Sequence, residues 1–371
     1  MTCRVLVLGG YGQFGSRIVE GLATDADLHL FIAGREERKA HALAERLAPV
    51  ARARLDTARV DVEDGIETSL ATLQPDIVIH TAGPFQARDH RVARAALAQD
   101  AHYIDLADGR AFVETFDAVD AQARAAGRMA ITGASSVPGL SAAVIAAHID
   151  RFAELHVVEA GISPGNRTER GLATTRAILG YVGRPFRVLQ GGRWTTVHGW
   201  QSLRRVVFPG VGARWFARCE VPDLSVLPRR HPGLRTCEFR AGLELRRMHF
   251  GLWLVAWMVR AGLVRDLPRH AERLLAISRR WLGLASDVGV MHVDMAGVDP
   301  AGRPLKLRWS ITARDGVGPR IPATAAIVLA RKLARGTLRG TGATACVDLF
   351  TLDECLDALR DPAIETSTQV L

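Results

Sequence analysis

Short apolar runs recur along the first part of the chain, and each is followed by a stretch whose apolar positions fall at helical spacing. Residues 4–8 read as a buried strand and 16–23 as a helix. The same couple repeats as strand 29–33 and helix 36–48, strand 58–62 and helix 66–73, strand 77–80 and helix 91–99, and strand 101–105 and helix 112–126. Strand 129–132 then passes through a loop at 133–141 into a helix at 141–149. Regular alternation of this kind predicts an α/β fold with a Rossmann-type doubly wound parallel sheet over residues 1–150.

The pattern changes beyond that point. Candidate strands at 155–162, 203–208, 239–245, 288–298 and 305–312 lack regular intervening helices, which predicts a second, mixed α+β domain over 151–320. Such a sheet suits a substrate domain and also a subunit interface, so a homodimer is an open reading. Residues 321–371 begin with a helical pattern and are expected to return to the first domain as a helical segment. Residues 250–264 form an apolar run broken by Arg260. A spanning helix needs about 20 residues, so the alternatives are a buried helix, a lid or a surface-attached helix making peripheral membrane contact. The basic pairs Arg246-Arg247 and Arg279-Arg280 would suit anionic headgroups, and equally a solvated face.

The junction of the first strand and helix carries the most specific chemistry. Gly9, Gly10, Tyr11, Gly12, Gln13, Phe14 and Gly15 follow the strand directly, and Gly10, Gly12 and Gly15 fill a G-x-G-x-x-G pattern. Gly10 is expected to allow the tight turn, Gly12 the approach of a pyrophosphate and Gly15 the close packing of helix on strand. The helix N-terminus would then face the phosphates with its unpaired N–H groups. A dinucleotide site is predicted.

The end of the second strand selects the dinucleotide. An NAD enzyme would usually place Asp or Glu there, about 20 residues past the glycines. This chain has Gly34 and Arg35, with Arg38 and Lys39 close behind. Guanidinium groups suit a 2′-phosphate, so NADP is expected over NAD, although Lys39 reads better as part of a solvated helix face. Further contacts are expected from Asp61 and Val62 at the end of the third strand, from the Ala82-Gly83-Pro84 turn after the fourth, and from Gly133 after the sixth. Asp61 serves equally well as a helix cap.

Bulk properties exclude several classes. Five cysteines, widely spaced and without a C-x-x-C pair, predict no metal site and a reducing compartment. No basic leader with an apolar core opens the chain, so a cytoplasmic location is expected. The net charge of +9 comes from arginines scattered through both halves rather than from a nucleic-acid-binding module, so no nucleic-acid partner is expected.

The G-G-Y-G-x-F-G segment, Ala82-Gly83-Pro84-Phe85, Tyr103-Ile104-Asp105-Leu106 and the Gly133 to Ser141 loop together resemble the saccharopine dehydrogenase-like oxidoreductases in their NADP-binding domain. The resemblance covers about the first 150 residues and implies hydride transfer with NADP; it does not carry the lysine-pathway substrate across. A C=O, C=N or C=C group is the expected target, and the apolar run at 250–264 points toward an apolar substrate. The alternatives are a catalytically silent NADP-binding regulator and a membrane-surface reductase of lipid-like substrates. Reduction needs a proton donor. Tyr103 and Asp105, two apart on one strand, and His80 are the catalytic candidates, with a structural role as the alternative for each. His198, His249 and His292 are weaker candidates from the second domain. No Tyr-x-x-x-Lys pair of the short-chain reductase kind occurs.

Overall fold

The computed structural model describes residues 2–86, 88–167 and 171–371. The chain forms two compact units, one of Met1–Ala143 with Pro319–Leu359 and the other of Val144–Gly318 with Arg360–Leu371.

In the first unit, strands β1 (Cys3–Leu8), β2 (Leu28–Gly34), β3 (Arg54–Arg59), β4 (Ile77–His80), β5 (His102–Asp105) and β6 (Met129–Thr132) alternate with helices. These are α1 (Gly15–Leu22), α2 (Glu37–Leu47), α3 (Ile66–Leu73), α4 (Arg91–Ala98), α5 (Arg110–Glu114) and α6 (Asp120–Ala125). Helix α7 (Ser141–His148) carries the chain from the first unit into the second.

The second unit then contains β7 (Glu154–Ser163), α8 (Leu172–Tyr181), β8 (Pro185–Gln190), β9 (Arg193–His198), β10 (Arg204–Phe208), β11 (Gly212–Arg218) and α9 (Asp223–Arg230). It continues through β12 (Thr236–Ala241), α10 (Arg246–Arg260), α11 (Ala271–Arg279), β13 (Gly289–Val298) and β14 (Pro304–Ala313). The chain returns to the first unit for α12 (Arg320–Ala334), β15 (Gly342–Ala345) and α13 (Leu352–Ala358). It closes in the second with β16 (Ile364–Val370).

The first sheet runs β15-β6-β5-β4-β1-β2-β3, with every pairing parallel. Strand order reverses beside β1, which creates the crevice at the carboxyl ends where such sheets bind ligands. The strands are aliphatic because helices cover both faces: Val5, Leu6, Val7 and Leu8 are all fully enclosed. Each such side chain contributes roughly 1.5–3 kcal/mol by burial. Helix α12 packs on α1, where a Cβ on Gly21 would come within 2.5 Å of Ile327. Arg331 fixes the contact by donating to Asp25 at 2.9 Å and to the Gly21 carbonyl at 2.8 Å.

Several elements differ from the sequence expectation. The third strand lies at Arg54–Arg59 rather than 58–62, because an edge strand needs no continuous apolar run. The helix expected over 112–126 is broken by a 3-10 turn at Phe116–Val119, whose spacing of three turns both Phe116 and Val119 inward. The segment 321–371 is not helical throughout. It adds β15 to the first sheet and β16 to the second, so its last residues belong to the other unit.

The second sheet is mixed, in the order β10-β11-β12-β7-β13-β14-β16, with β8 pairing β12 and β9. One face is apolar, including Val158, Phe239, Val293 and Trp309. The other carries charge on the strands themselves. Glu238, Glu159, Asp294 and Arg308 stand opposite one another across β12, β7, β13 and β14. Neighbouring carboxylates in such a row repel, and arginines offset the repulsion. Arg204 meets Glu159 at 2.5 Å, Arg218 and Arg240 meet Glu238 at 2.8 and 2.6 Å, and Arg308 holds both oxygens of Asp294 at 2.6 Å. Burial would push Glu238 up, but Arg240 and Arg218 outweigh it and hold the carboxyl below its usual range.

Candidate functional site

The turn after β1 is built by glycine. Gly9 takes φ +77°, the left-handed region, and its N–H and that of Gly10 both donate to the Ala33 carbonyl, at 2.8 and 3.0 Å. The turn tightens where the Gly12 N–H donates to the Gly9 carbonyl at 2.8 Å. A Cβ on Gly15 would lie 2.2 Å from the Gly9 oxygen, so no larger residue lets α1 start here. The left-handed residue is thus Gly9, while Gly10 is confined by the Val7 carbonyl, 2.9 Å from where its Cβ would stand. Gln13 and Phe14 are half-buried in the turn, and the first turn of α1 holds no acidic side chain to compete with an anion. Thr81 ties the turn to β4: its hydroxyl donates to the Leu8 carbonyl at 2.8 Å.

At the end of β2, a Cβ on Gly34 would strike the Tyr11 ring at 2.6 Å. The Tyr11 hydroxyl in turn accepts the Glu36 N–H at 2.8 Å, which locks the glycine turn to the start of α2. Arg35 and Arg38 are exposed, and among the described residues neither is in an ion pair. Of the carboxylates between them in the chain, Glu36 is engaged by Lys39 at 2.8 Å and Glu37 faces His41 at 3.8 Å. Asp61 and Val62 lie past the end of β3, where Asp61 accepts the Glu63 N–H at 3.0 Å and forms a local turn.

The ends of β4, β5 and β6 are joined below the surface. His80 shares a 3.0 Å hydrogen bond with the Tyr103 hydroxyl, inside a cluster of rings that includes Phe85, His90, Phe112 and Phe116. Asp105 Oδ1 accepts from the Ala107 N–H at 2.9 Å, the Thr132 hydroxyl at 2.9 Å and the Gly133 N–H at 2.8 Å. Gly133 itself is left-handed, and a Cβ there would meet Pro138 at 2.7 Å. Burial brings His80 down to about 4 and drives the Tyr103 hydroxyl well up. Asp105 is pushed by burial to about 6. His80, Tyr103 and Asp105 are all enclosed, and Asp105 joins β5 to β6. The Ala82-Gly83-Pro84 turn above them is half-buried.

Residues 5–131 match the family model described as the saccharopine dehydrogenase NADP binding domain. The first unit therefore carries a saccharopine dehydrogenase-like NADP-binding domain. Among solved structures, the apo saccharopine dehydrogenase (L-Glu forming) from Saccharomyces cerevisiae is similar over 100% of both chains, with TM-score 0.70 and 14% identity. An amine dehydrogenase from Mycobacterium smegmatis is similar over 94% of this chain and 96% of its own, with TM-score 0.50 and 12% identity. At these identities the likeness is one of fold. No curated protein sequence matches the chain.

Within this NADP-binding domain, two polar residues near the strand ends, Gln86 and Asp108, escaped the sequence reading. Asp108 follows β5, is half-buried, and accepts from Gln86 Nε2 at 3.1 Å. Burial pushes its carboxyl up. Its signal in the chain is weak, since an Asp before Gly109 reads as ordinary turn chemistry. In the second unit, His249 and His292 are core histidines that burial brings down to about 4. His292 lies between Phe208 and Phe216, and His249 accepts the Leu243 N–H at 3.3 Å. His198 is half-buried, and burial lowers it as well.

Proposed function

We propose that the protein is an NADP-dependent oxidoreductase that moves a hydride to or from a C=O, C=N or C=C group. The observation that carries this reading is a glycine turn with no room for a Cβ at Gly10 or Gly15, beside two exposed arginines at the end of β2 that among the described residues are in no ion pair. NADPH supplies the hydride when bound. The backbone of Gly10 to Gly15 receives the pyrophosphate, and Arg35 and Arg38 receive the 2′-phosphate. Ala82, Gly83 and Pro84, at the end of β4, would hold the nicotinamide half. In this reading Asp108, hydrogen-bonded to Gln86 just beyond that turn, would hold a proton at its carboxyl, since burial raises its affinity for one. His80, Tyr103 and Asp105 act in this reading as positioning residues that fix the ends of β4 and β5.

The test is titration of the full chain with NADPH, followed by turnover assays on a panel of imines, ketones and enoyl thioesters. Turnover of any member supports the proposal, and Asp108→Asn should then lower kcat about 10²–10⁴-fold while NADPH affinity stays unchanged. Binding of NADPH without turnover would favour a regulator that senses the nucleotide. Absence of NADPH binding would overturn both.

A further inference from the structure

Among the described residues, large apolar side chains exposed to solvent are concentrated in one stretch. Seven of the twelve lie between Leu254 and Leu284. Helix α10 buries Ala256 and Val259 in the core of the second unit, with Leu252 and Trp253 partly covered. Its opposite stripe presents Leu254 (58% exposed), Trp257 (44%) and Met258, and Leu263 (74%) follows the helix. Helix α11 behaves likewise, with Ala271 and Leu275 facing inward and Ile277 out; just beyond it Trp281 and Leu284 (69%) are exposed as well. The spacing 254, 257, 258 is that of one helix face.

The same stretch is strongly basic. Residues 246–284 hold eight arginines against Asp266 and Glu272, an excess of six positive charges, and all eight arginines are exposed. Glu272 is already engaged by Arg176 at 3.1 Å. Arg260 stands over the Trp257 ring at 5.1 Å, so cation and apolar surface are interleaved. No described helix is long and apolar enough to cross a membrane.

We propose that α10, α11 and the chain between them form a docking surface for anionic phospholipid bilayers. Tryptophan and leucine would enter the headgroup boundary, and the arginines would meet lipid phosphates, the combination that holds amphipathic helices at an interface. A second copy of the chain is the poorer occupant. A two-fold contact would set this arginine excess against itself, and like charges brought together at an interface are costly. The inference is independent of the redox reading, since lipid binding needs neither NADPH nor turnover.

The experiment is co-sedimentation of the full chain with phosphatidylcholine vesicles, with and without phosphatidylglycerol. Sedimentation should require the anionic lipid and fall as salt rises. Replacing Arg246, Arg247, Arg279 and Arg280 by Gln should weaken it at least about a hundredfold. The pair Leu254→Ser and Trp257→Ser should weaken it about tenfold or more. Both variants should keep the parent's far-UV ellipticity and urea midpoint, which shows that they fold. Absence of sedimentation with anionic vesicles, or equal sedimentation with pure phosphatidylcholine, would overturn the proposal. A dimer in sedimentation velocity that Leu254→Ser with Trp257→Ser abolishes would also overturn it, assigning the surface to a second copy.

Discussion

The two sheets of this molecule solve opposite problems. The first keeps its strands aliphatic and moves polar chemistry to the ends, where backbone geometry at Gly9, Gly15, Gly34 and Gly133 shapes the site. The second puts charge in the middle of the strands, in the row Glu238, Glu159, Asp294 and Arg308, and satisfies it with side chains from other strands. A site made of backbone tolerates no added atom. One made of side-chain pairs tolerates no lost charge.

Acid should separate the two units most strongly. His249 and His292 in the second unit are held neutral to about 4, so their contribution is complete above the unfolded value near 6.5 and is lost as pH falls toward 4. That loss is of order 3 kcal/mol for each. Glu238, held low by its arginines, adds to it as pH falls through its folded value. In the first unit His80 and His102, both brought down to about 4 by burial, impose a similar loss, but Asp105, raised to about 6, works the other way: its protonated form fits the fold, so stability is recovered as pH drops below 6. All seven tryptophans lie between Trp194 and Trp309, hence in the second unit. Tryptophan emission should therefore shift before far-UV ellipticity collapses on titration from pH 6.5 to 4. Coincident transitions would remove the contrast.

A charge deletion sharpens the same contrast at neutral pH. Glu238→Ala leaves Arg218 and Arg240 enclosed without their counter-charge, and should cost about 3–5 kcal/mol in urea unfolding followed by tryptophan emission. NADPH binding in the first unit should be little affected by it under folding conditions.

The same difference explains what could be read from the chain. Most of the first sheet was legible because parallel strands buried on both faces leave apolar runs, and because a G-x-G-x-x-G pattern records a backbone requirement at fixed spacing. The polar edge strand β3 and the short β15 gave no such run. The charge row was invisible because Glu159 and Arg204, or Asp294 and Arg308, are joined only once the strands are in register. Tyr103 and Asp105 were legible as a pair, but their burial was not: a strand end looks the same whether a loop covers it or leaves it open. Asp108, three residues further on, is the half-buried group.

Gly15→Val tests the backbone side of the comparison. Its Cβ would stand 2.2 Å from the Gly9 oxygen and 2.8 Å from Thr81 Oγ1, and both neighbours are held by hydrogen bonds. The expected cost is about 1–3 kcal/mol in stability of the first unit, seen as a lower urea midpoint by far-UV ellipticity. NADPH binding should be lost to calorimetry. Retained binding would mean that the turn can open without losing its function.

The smallest effect is the most selective. Arg35 touches no carboxylate among the described residues, so removing it leaves no buried partner exposed, and Arg35→Ala should leave stability within about 0.5 kcal/mol. In the proposed reading it would remove a charge-assisted contact to the 2′-phosphate, worth roughly tenfold to a hundredfold in affinity. NADPH should weaken by that factor while NADH, which lacks this phosphate, keeps its dissociation constant. Arg38→Ala should act in the same direction, and the double change should bring the two nucleotides to parity. Equal weakening of both would mean that Arg35 supports the end of β2 rather than the phosphate. With Lys39 already committed to Glu36, the preference for NADP would then rest on Arg38 alone.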